Sequence, residues 1–138
     1  MKFKNLNGKE KNINISNYLV DWNKKERSII QFKVKKFLEP FWKNHVVCSE
    51  LPLVSTRCTF DLYNASRKIV VEIQGKQHYS FNKHFHKSSR TNYLGQIKRD
   101  LDKQKYCEIN NILLIEVMED EVDNLSKEWF KEKYDIDL

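Results

Sequence analysis

Two carboxylates stand where strands ordinarily exclude them. Asp61 follows Phe60 in CTFDLY, and Glu72 interrupts IVVEI, both β-forming runs in which acidic residues are disfavoured. Side chains alternate along a strand, so Val70, Glu72 and Gln74 face one side, Val71 and Ile73 the other, and Glu72 projects together with Gln74. If the two runs are adjacent antiparallel strands, cross-strand neighbours lie within about 5 Å, close enough for Asp61 and Glu72 to share one hard cation. Magnesium suits such a pair, because it takes oxygen ligands from one or two carboxylates, keeps several waters and leaves room for a phosphate; manganese accepts the same ligands. The plain alternative is that Asp61 caps a turn while Glu72 pairs with a nearby lysine on a solvated face.

The residues after Glu72 extend the pattern. Gly75 permits a sharp turn, and His78 follows it in EIQGKQH, where a neutral imidazole can relay a proton to or from an attacking water or a leaving oxygen. A lone histidine at a strand end is also an ordinary surface residue. Further on, Gln96, Asp100, Lys103 and Cys107 fall at i, i+4, i+7 and i+11 and share one helix face. Asp100 there can orient His78 or metal-bound waters, and Lys103 can neutralise charge on a phosphate. Taken alone, Asp100 and Lys103 read equally as a routine surface ion pair.

Positioning these groups requires a sheet and at least two helices. The spacing of Ile30, Val34, Phe37, Leu38 and Phe41 predicts a helix over 24–39, ended by Pro40. Strands are predicted over 46–54, 57–63 and 68–74, forming a meander. Residues 79–92 read as a polar loop, and a second helix over 93–110 carries Leu94, Ile97 and Leu101 as its apolar stripe, stopped by Asn110-Asn111. The apolar run 112–117 predicts a strand buried on both faces, and 122–134 a final amphipathic segment with Leu125, Trp129 and Phe130. An arm or hairpin around Asn7-Gly8 precedes all this. The order is α-β-β-β-α-β-α, an α/β fold with a central mixed sheet flanked by helices.

At 138 residues, with three glycines, two prolines and no repeat or low-complexity tract, one domain is expected: an arm over 1–22, a core over 24–118 and a C-terminal helix over 119–138. Cys48, Cys58 and Cys107 are an odd set at wide spacing, pointing to a reducing compartment and not to disulfides or a zinc ribbon. No apolar run reaches the roughly 18 residues of a membrane span, and the N-terminus lacks a signal peptide's apolar stretch, so a soluble cytoplasmic protein without membrane contact is expected. The net charge of +6 favours a polyanionic partner, although a lysine-rich surface kept for solubility gives the same balance.

Taken together, Ser28 to Gln31 opening the first helix, FD at 60–61, VEIQGKQHY at 71–79 and QIKRDLDKQKYCEINNILLIEV at 96–117 resemble a family of small phage and bacterial endonucleases of the PD-(D/E)XK superfamily. Those proteins are related to very-short-patch repair enzymes and to the homing endonucleases described by an E-D-x-H-D motif. The resemblance spans about residues 24 to 118 and implies a restriction-endonuclease-like core that hydrolyses DNA phosphodiesters with Mg2+ or Mn2+. It implies that Asp61 and Glu72 bind the metal, that His78 transfers protons, and that Asp100 and Lys103 complete the site. Gln74 stands where the superfamily more often has lysine; an amide can position water or phosphate but supplies neither charge nor base. The first helix of such sites usually brings a glutamate. Here the matching position holds Gln31, with Glu26 one turn earlier, and Glu26 also fits a capping box with Asn23.

DNA contacts are expected from Lys76, Lys83, Lys87, Arg90 and Arg99, several interleaved with aromatics. Zinc held by His78, His84 and His86 with a cysteine is disfavoured, since no second ligand pair has suitable spacing. A double-strand cut by a domain with one site needs two copies, which leaves a homodimer open. Two other readings remain: a degenerate nuclease fold that only binds DNA, and a structural protein whose basic charge is incidental.

Overall fold

The computed structural model describes residues 1–26, 28–75 and 87–138, with side chains of the last segment described from 94 onward. The predicted Asn7-Gly8 hairpin is present: β1 (Lys2–Lys4) pairs antiparallel with β2 (Glu10–Asn12). Asn5 builds the turn by accepting the Asn7 and Lys9 N–H groups at 2.9 and 3.0 Å, and Gly8 supplies the positive φ, +85°. Phe3 anchors the hairpin with its ring 5.8 Å from Tyr63 and 6.0 Å from Tyr106. A short 3-10 helix, Ile15–Tyr18, leads on.

The first long helix, α1 (Ile29–Trp42), buries Val34, Lys35, Leu38 and Trp42. It starts later than 24 and passes through Pro40 instead of ending there. Proline costs most mid-helix, whereas here the last turn is held by burial of Trp42 and by the Lys43 N–H bonding Glu39 O at 2.9 Å. The delayed start abolishes the expected Asn23–Glu26 capping box; Asn23 N–H bonds Asp21 Oδ1 at 3.0 Å, and Glu26 is used elsewhere.

Four strands then form one mixed sheet in the order β3-β4-β5-β6: β3 (Val47–Pro52), β4 (Thr59–Asn64), β5 (Ile69–Gln74) and β6 (Leu113–Met118). The first three are the antiparallel meander, and β6 joins β5 in parallel through the crossover helix α2 (Lys87–Ile109). The chain is thus an α/β fold with helices on its sheet. One core, with Phe3, Phe60, Tyr63, Val70, Tyr106 and Cys107, lies on the hairpin and α2 side; the other, with Val34, Leu38, Trp42, Val71, Ile115 and Phe130, lies on the α1 side.

Three further expectations are corrected. α2 begins at Lys87, inside the stretch 79–92 read as loop; residues 87–92 contain no apolar side chain, so a helical turn there leaves no periodic signal. The Leu94/Ile97/Leu101 stripe is not the buried face: Leu94 is 55% and Leu101 58% exposed, while Tyr106 and Cys107 are buried. A 23-residue helix runs about 34 Å and outreaches six-residue strands of about 20 Å, so it cannot lie on the sheet along its whole length, and among its described side chains the buried ones, Tyr106 and Cys107, fall near its C-terminus. Finally, β6 is an edge strand with Ile115 and Val117 fully buried and its other residues only partly so, not a strand enclosed on both faces. Asn111, at φ +55°, ends the turn after α2 as predicted.

The C-terminal segment is split into a 3-10 turn, Glu119–Asn124, and α3 (Lys127–Tyr134), which Ser126 caps through its bond from Trp129 N–H. Phe130 stacks on Phe37 at 5.9 Å. Tyr134 closes part of the β6 edge, its hydroxyl accepting the Glu116 N–H at 3.0 Å and donating to Glu116 O at 3.3 Å. Tyr134→Phe is therefore expected to cost about 1 kcal/mol in a denaturant melt and to promote concentration-dependent self-association visible in light scattering. Among the described residues no helix is long and apolar enough to cross a membrane.

Candidate functional site

The β4–β5 ladder pairs Leu62↔Val71, Tyr63↔Val70 and Asn64↔Ile69, and the next positions along the two strands are Asp61 and Glu72. Here the side chains replace the ladder. Asp61 N–H donates to Glu72 Oε2 at 2.7 Å, and Ile73 N–H donates to Asp61 Oδ2 at 2.9 Å. Each carboxylate holds the backbone of the other's strand, so each places one oxygen in the gap where β4 and β5 part. The outer oxygens lean to opposite sides of the sheet. Asp61 Oδ1 meets the Gln31 amide of α1 at 3.4 Å, whereas Glu72 Oε1 accepts the Lys103 ammonium from α2.

A departure in β3 accompanies this arrangement. Ser49 pairs with Leu62 and Leu51 with Phe60, while Glu50, between them, takes φ +53°. Phe60 and Tyr63 consequently enter the same core, breaking the strict alternation that would send them to opposite faces. The kink leaves Asp61 half-buried, lining a cavity on the α1 side with Glu26, Gln31, Lys35, Glu50 and Ile73.

The electrostatics of the cluster are those of carboxylates crowded in a protein interior. Glu72 is 2% exposed; burial first and then the negative charge of Asp61 raise its pKa, against the opposing pull of Lys103. Lys103 is itself raised: burial works against its charge, and Glu72 more than compensates. Glu50 is raised by burial and then by Asp61, with Glu26 adding to it. Two carboxylates crowded at one strand fork with one cationic side chain carry an excess of negative charge that a divalent cation would relieve, and a hard cation needs no more than such a pair beside waters and substrate oxygens. Among the described residues no three His, Cys, Asp or Glu side chains are gathered into a larger cage.

Of the residues singled out from sequence, the structure brings Gln31, Asp61, Glu72 and Lys103 into one hydrogen-bonded group. Lys103 pairs with Glu72, not with Asp100 as a routine surface pair would have it, and the pair is buried where the plain alternative for Glu72 had a solvated face. Gln74 is buried at 5% exposure, on the same strand face as Glu72. Gln96 and Asp100 lie half-buried on α2, Asp100 one turn before Lys103. Glu26 joins the cavity, but its carboxylate is tied to Lys35 at 3.0 Å. Arg99 is exposed and lines a separate surface cleft with Arg57, Lys98 and Leu6. Lys76, His78 and Lys83, and the side chains of Lys87 and Arg90, lie outside the described residues, as do His84 and His86.

Two site residues escaped the sequence reading. Lys35 is 1% exposed, its ammonium bonding Lys24 O at 2.7 Å as well as Glu26; its place on the buried stripe beside Val34 and Leu38 was the available signal. Glu50 sits in a β-forming run as Glu72 does, and Pro52 obscured that run.

The three cysteines are buried and free. Cys107 is pushed up to about 12 by burial first and the Glu72 charge next, which makes it a poor nucleophile. Native protein at neutral pH is expected to resist iodoacetamide at all three thiols, and guanidinium-unfolded protein to take three labels, as mass spectrometry would count them.

No protein-family model matches the chain, and no solved structure matches it. Its relatives are viral. Uncharacterized protein 033L of Invertebrate iridescent virus 3 is 33% identical over 92 residues, 63% of this chain and 47% of that protein. Uncharacterized protein 307L of Invertebrate iridescent virus 6 is 44% identical over 57 residues, 41% of this chain and 28% of that protein. Uncharacterized protein 094L of Frog virus 3 (isolate Goorha) is 42% identical over 57 residues, 41% of this chain and 37% of that protein. The matched region thus spans less than half of each relative.

Proposed function

We propose that the chain is a divalent-cation-dependent DNA endonuclease of the PD-(D/E)XK type. The observation that carries this reading is the reciprocal engagement of Asp61 and Glu72 at the fork between β4 and β5, with Lys103 on the second carboxylate. The mixed sheet, its parallel last strand reached through a long helix and its first helix on the opposite face, supports a restriction-endonuclease-like core.

In this reading Asp61 and Glu72 would hold magnesium or manganese at the fork between β4 and β5, where the two carboxylates come together. The ion's contribution when bound is to polarise the scissile phosphate and to lower the pKa of the attacking water. Lys103 supplies the positive charge that Gln74, an amide, does not, and lies on the helix face that approaches Glu72. Gln31 orients Asp61 by donating to Oδ1. The two strand N–H groups hold both carboxylates in place before substrate arrives. DNA is the substrate proposed on charge, +6 overall.

The experiment is cleavage of supercoiled and linear DNA by the purified chain with Mg2+ or Mn2+, against an EDTA control. Nicked or linear product that appears only with the cation supports the reading. A second reading, a DNA-binding module with a degenerate site, is favoured by the buried Gln74. It is distinguished by salt-sensitive DNA retention in a gel without any cation-dependent product.

A further inference from the structure

Both oxygens of Glu72 are already occupied by the protein. Oε2 accepts the Asp61 backbone N–H and Oε1 the Lys103 ammonium. The two bonds differ in how they can be released. The first ties Glu72 to a fixed backbone N–H at the strand fork; the second ends a flexible four-carbon stem rooted in α2. The pair is well enclosed, with side-chain exposures of 19% for Lys103 and 3% for Glu72. A carboxylate so buried needs a cationic partner, and one oxygen cannot serve an ammonium and a divalent ion together.

We infer that Lys103 is a place-holder for the divalent cation. Its ammonium neutralises Glu72 in the cation-free protein and leaves Oε1 when that oxygen becomes a ligand, which frees the same side chain to meet a substrate phosphate. This deepens the nuclease reading and rests on it. One lysine then serves two states: it offsets the burial of Glu72 before loading and carries charge toward the phosphate afterwards.

The test is Mn2+ binding to the whole chain without DNA, read from the free-ion paramagnetic resonance signal for wild type, Lys103→Met, Lys103→Arg and Glu72→Gln. Removing the competing charge is expected to tighten binding about tenfold in Lys103→Met. Arginine, which forks onto a carboxylate and stays charged, is expected to weaken binding several-fold in Lys103→Arg. Glu72→Gln is expected to lose most of it. Binding in Lys103→Met that is unchanged or weaker, with wild-type binding still dependent on Glu72, overturns the place-holder role and leaves the nuclease reading standing. Should Lys103→Met not fold by circular dichroism, Lys103→Arg decides, and wild-type affinity there overturns the role equally. Absence of Mn2+ binding in all four proteins overturns both readings.

Discussion

Replacing Asp61 or Glu72 by alanine is expected to reduce cation-dependent DNA cleavage by about 10^3-fold or more. The magnitude follows from the several kcal/mol a divalent ion contributes at a phosphoryl centre, with each 1.4 kcal/mol worth a factor of ten in rate. Alanine does more than remove a ligand here. Glu72→Ala deletes the acceptor for Asp61 N–H and leaves Lys103 buried without its partner, and breaking a buried pair in this way costs about 3–5 kcal/mol. The isosteric changes separate the two effects. Asp61→Asn keeps an oxygen for Ile73 N–H and an amide that can still meet Gln31, so it is expected to melt close to wild type and still lose cleavage. Glu72→Gln keeps the acceptor for Asp61 N–H but turns an NH2 toward the buried Lys103 ammonium, so it is expected to lose cleavage and to retain part of the cost of breaking the pair. Plasmid nicking set beside circular-dichroism melts of the four variants checks this, and full activity in the folded amide variants would sink the proposal.

The second large effect lies at the end of α1. Trp42 is fully buried on the α1 side of the sheet, and Trp42→Ala is expected to cost about 3–5 kcal/mol. Against a typical domain stability of about 5–15 kcal/mol, that is a large share, and a fall in melting temperature of about 10 °C or more should follow. Trp42 also holds the helix together past Pro40, so its loss is expected to fray the C-terminal turn of the element that brings Gln31 to Asp61. Trp42→Phe makes the informative contrast. The indole Nε1–H finds no hydrogen-bond partner among the described residues, so phenylalanine loses packing volume but also removes an unsatisfied buried donor. The expected cost is therefore only about 1 kcal/mol. Denaturant unfolding of both variants measures the difference, and equal costs would show that the ring's size, not its polar atom, governs the position.

Much of this architecture was legible in local pattern. The alternation of IVVEIQ put Glu72 and Gln74 on one strand face, and the order of strands and helices followed from periodicity and from the turns at Gly8 and Asn111, because these signals depend only on neighbours along the chain. The phase of α2 was legible too: Gln96, Asp100, Lys103 and Cys107 do share a face. Which face turns inward was not, because periodicity sets the relative angle between stripes, and a helix longer than its sheet is not obliged to bury its leucines.

The site depended on tertiary structure for the same kind of reason. Lys103 meets Glu72 only because α2 crosses back over β5, and a carboxylate buried there makes a lysine preferable to an apolar neighbour. The kink at Glu50 turned Asp61 out of strict alternation, and nothing in CSELP marks a positive φ. Lys35 lies on a buried stripe because Lys24 and Glu26, brought back along α1, satisfy its ammonium. By itself the sequence determined which elements form and which side chains share a face. The tertiary structure decided which charges meet, since a buried ionic group is tolerated only where distant parts of the chain supply its partner.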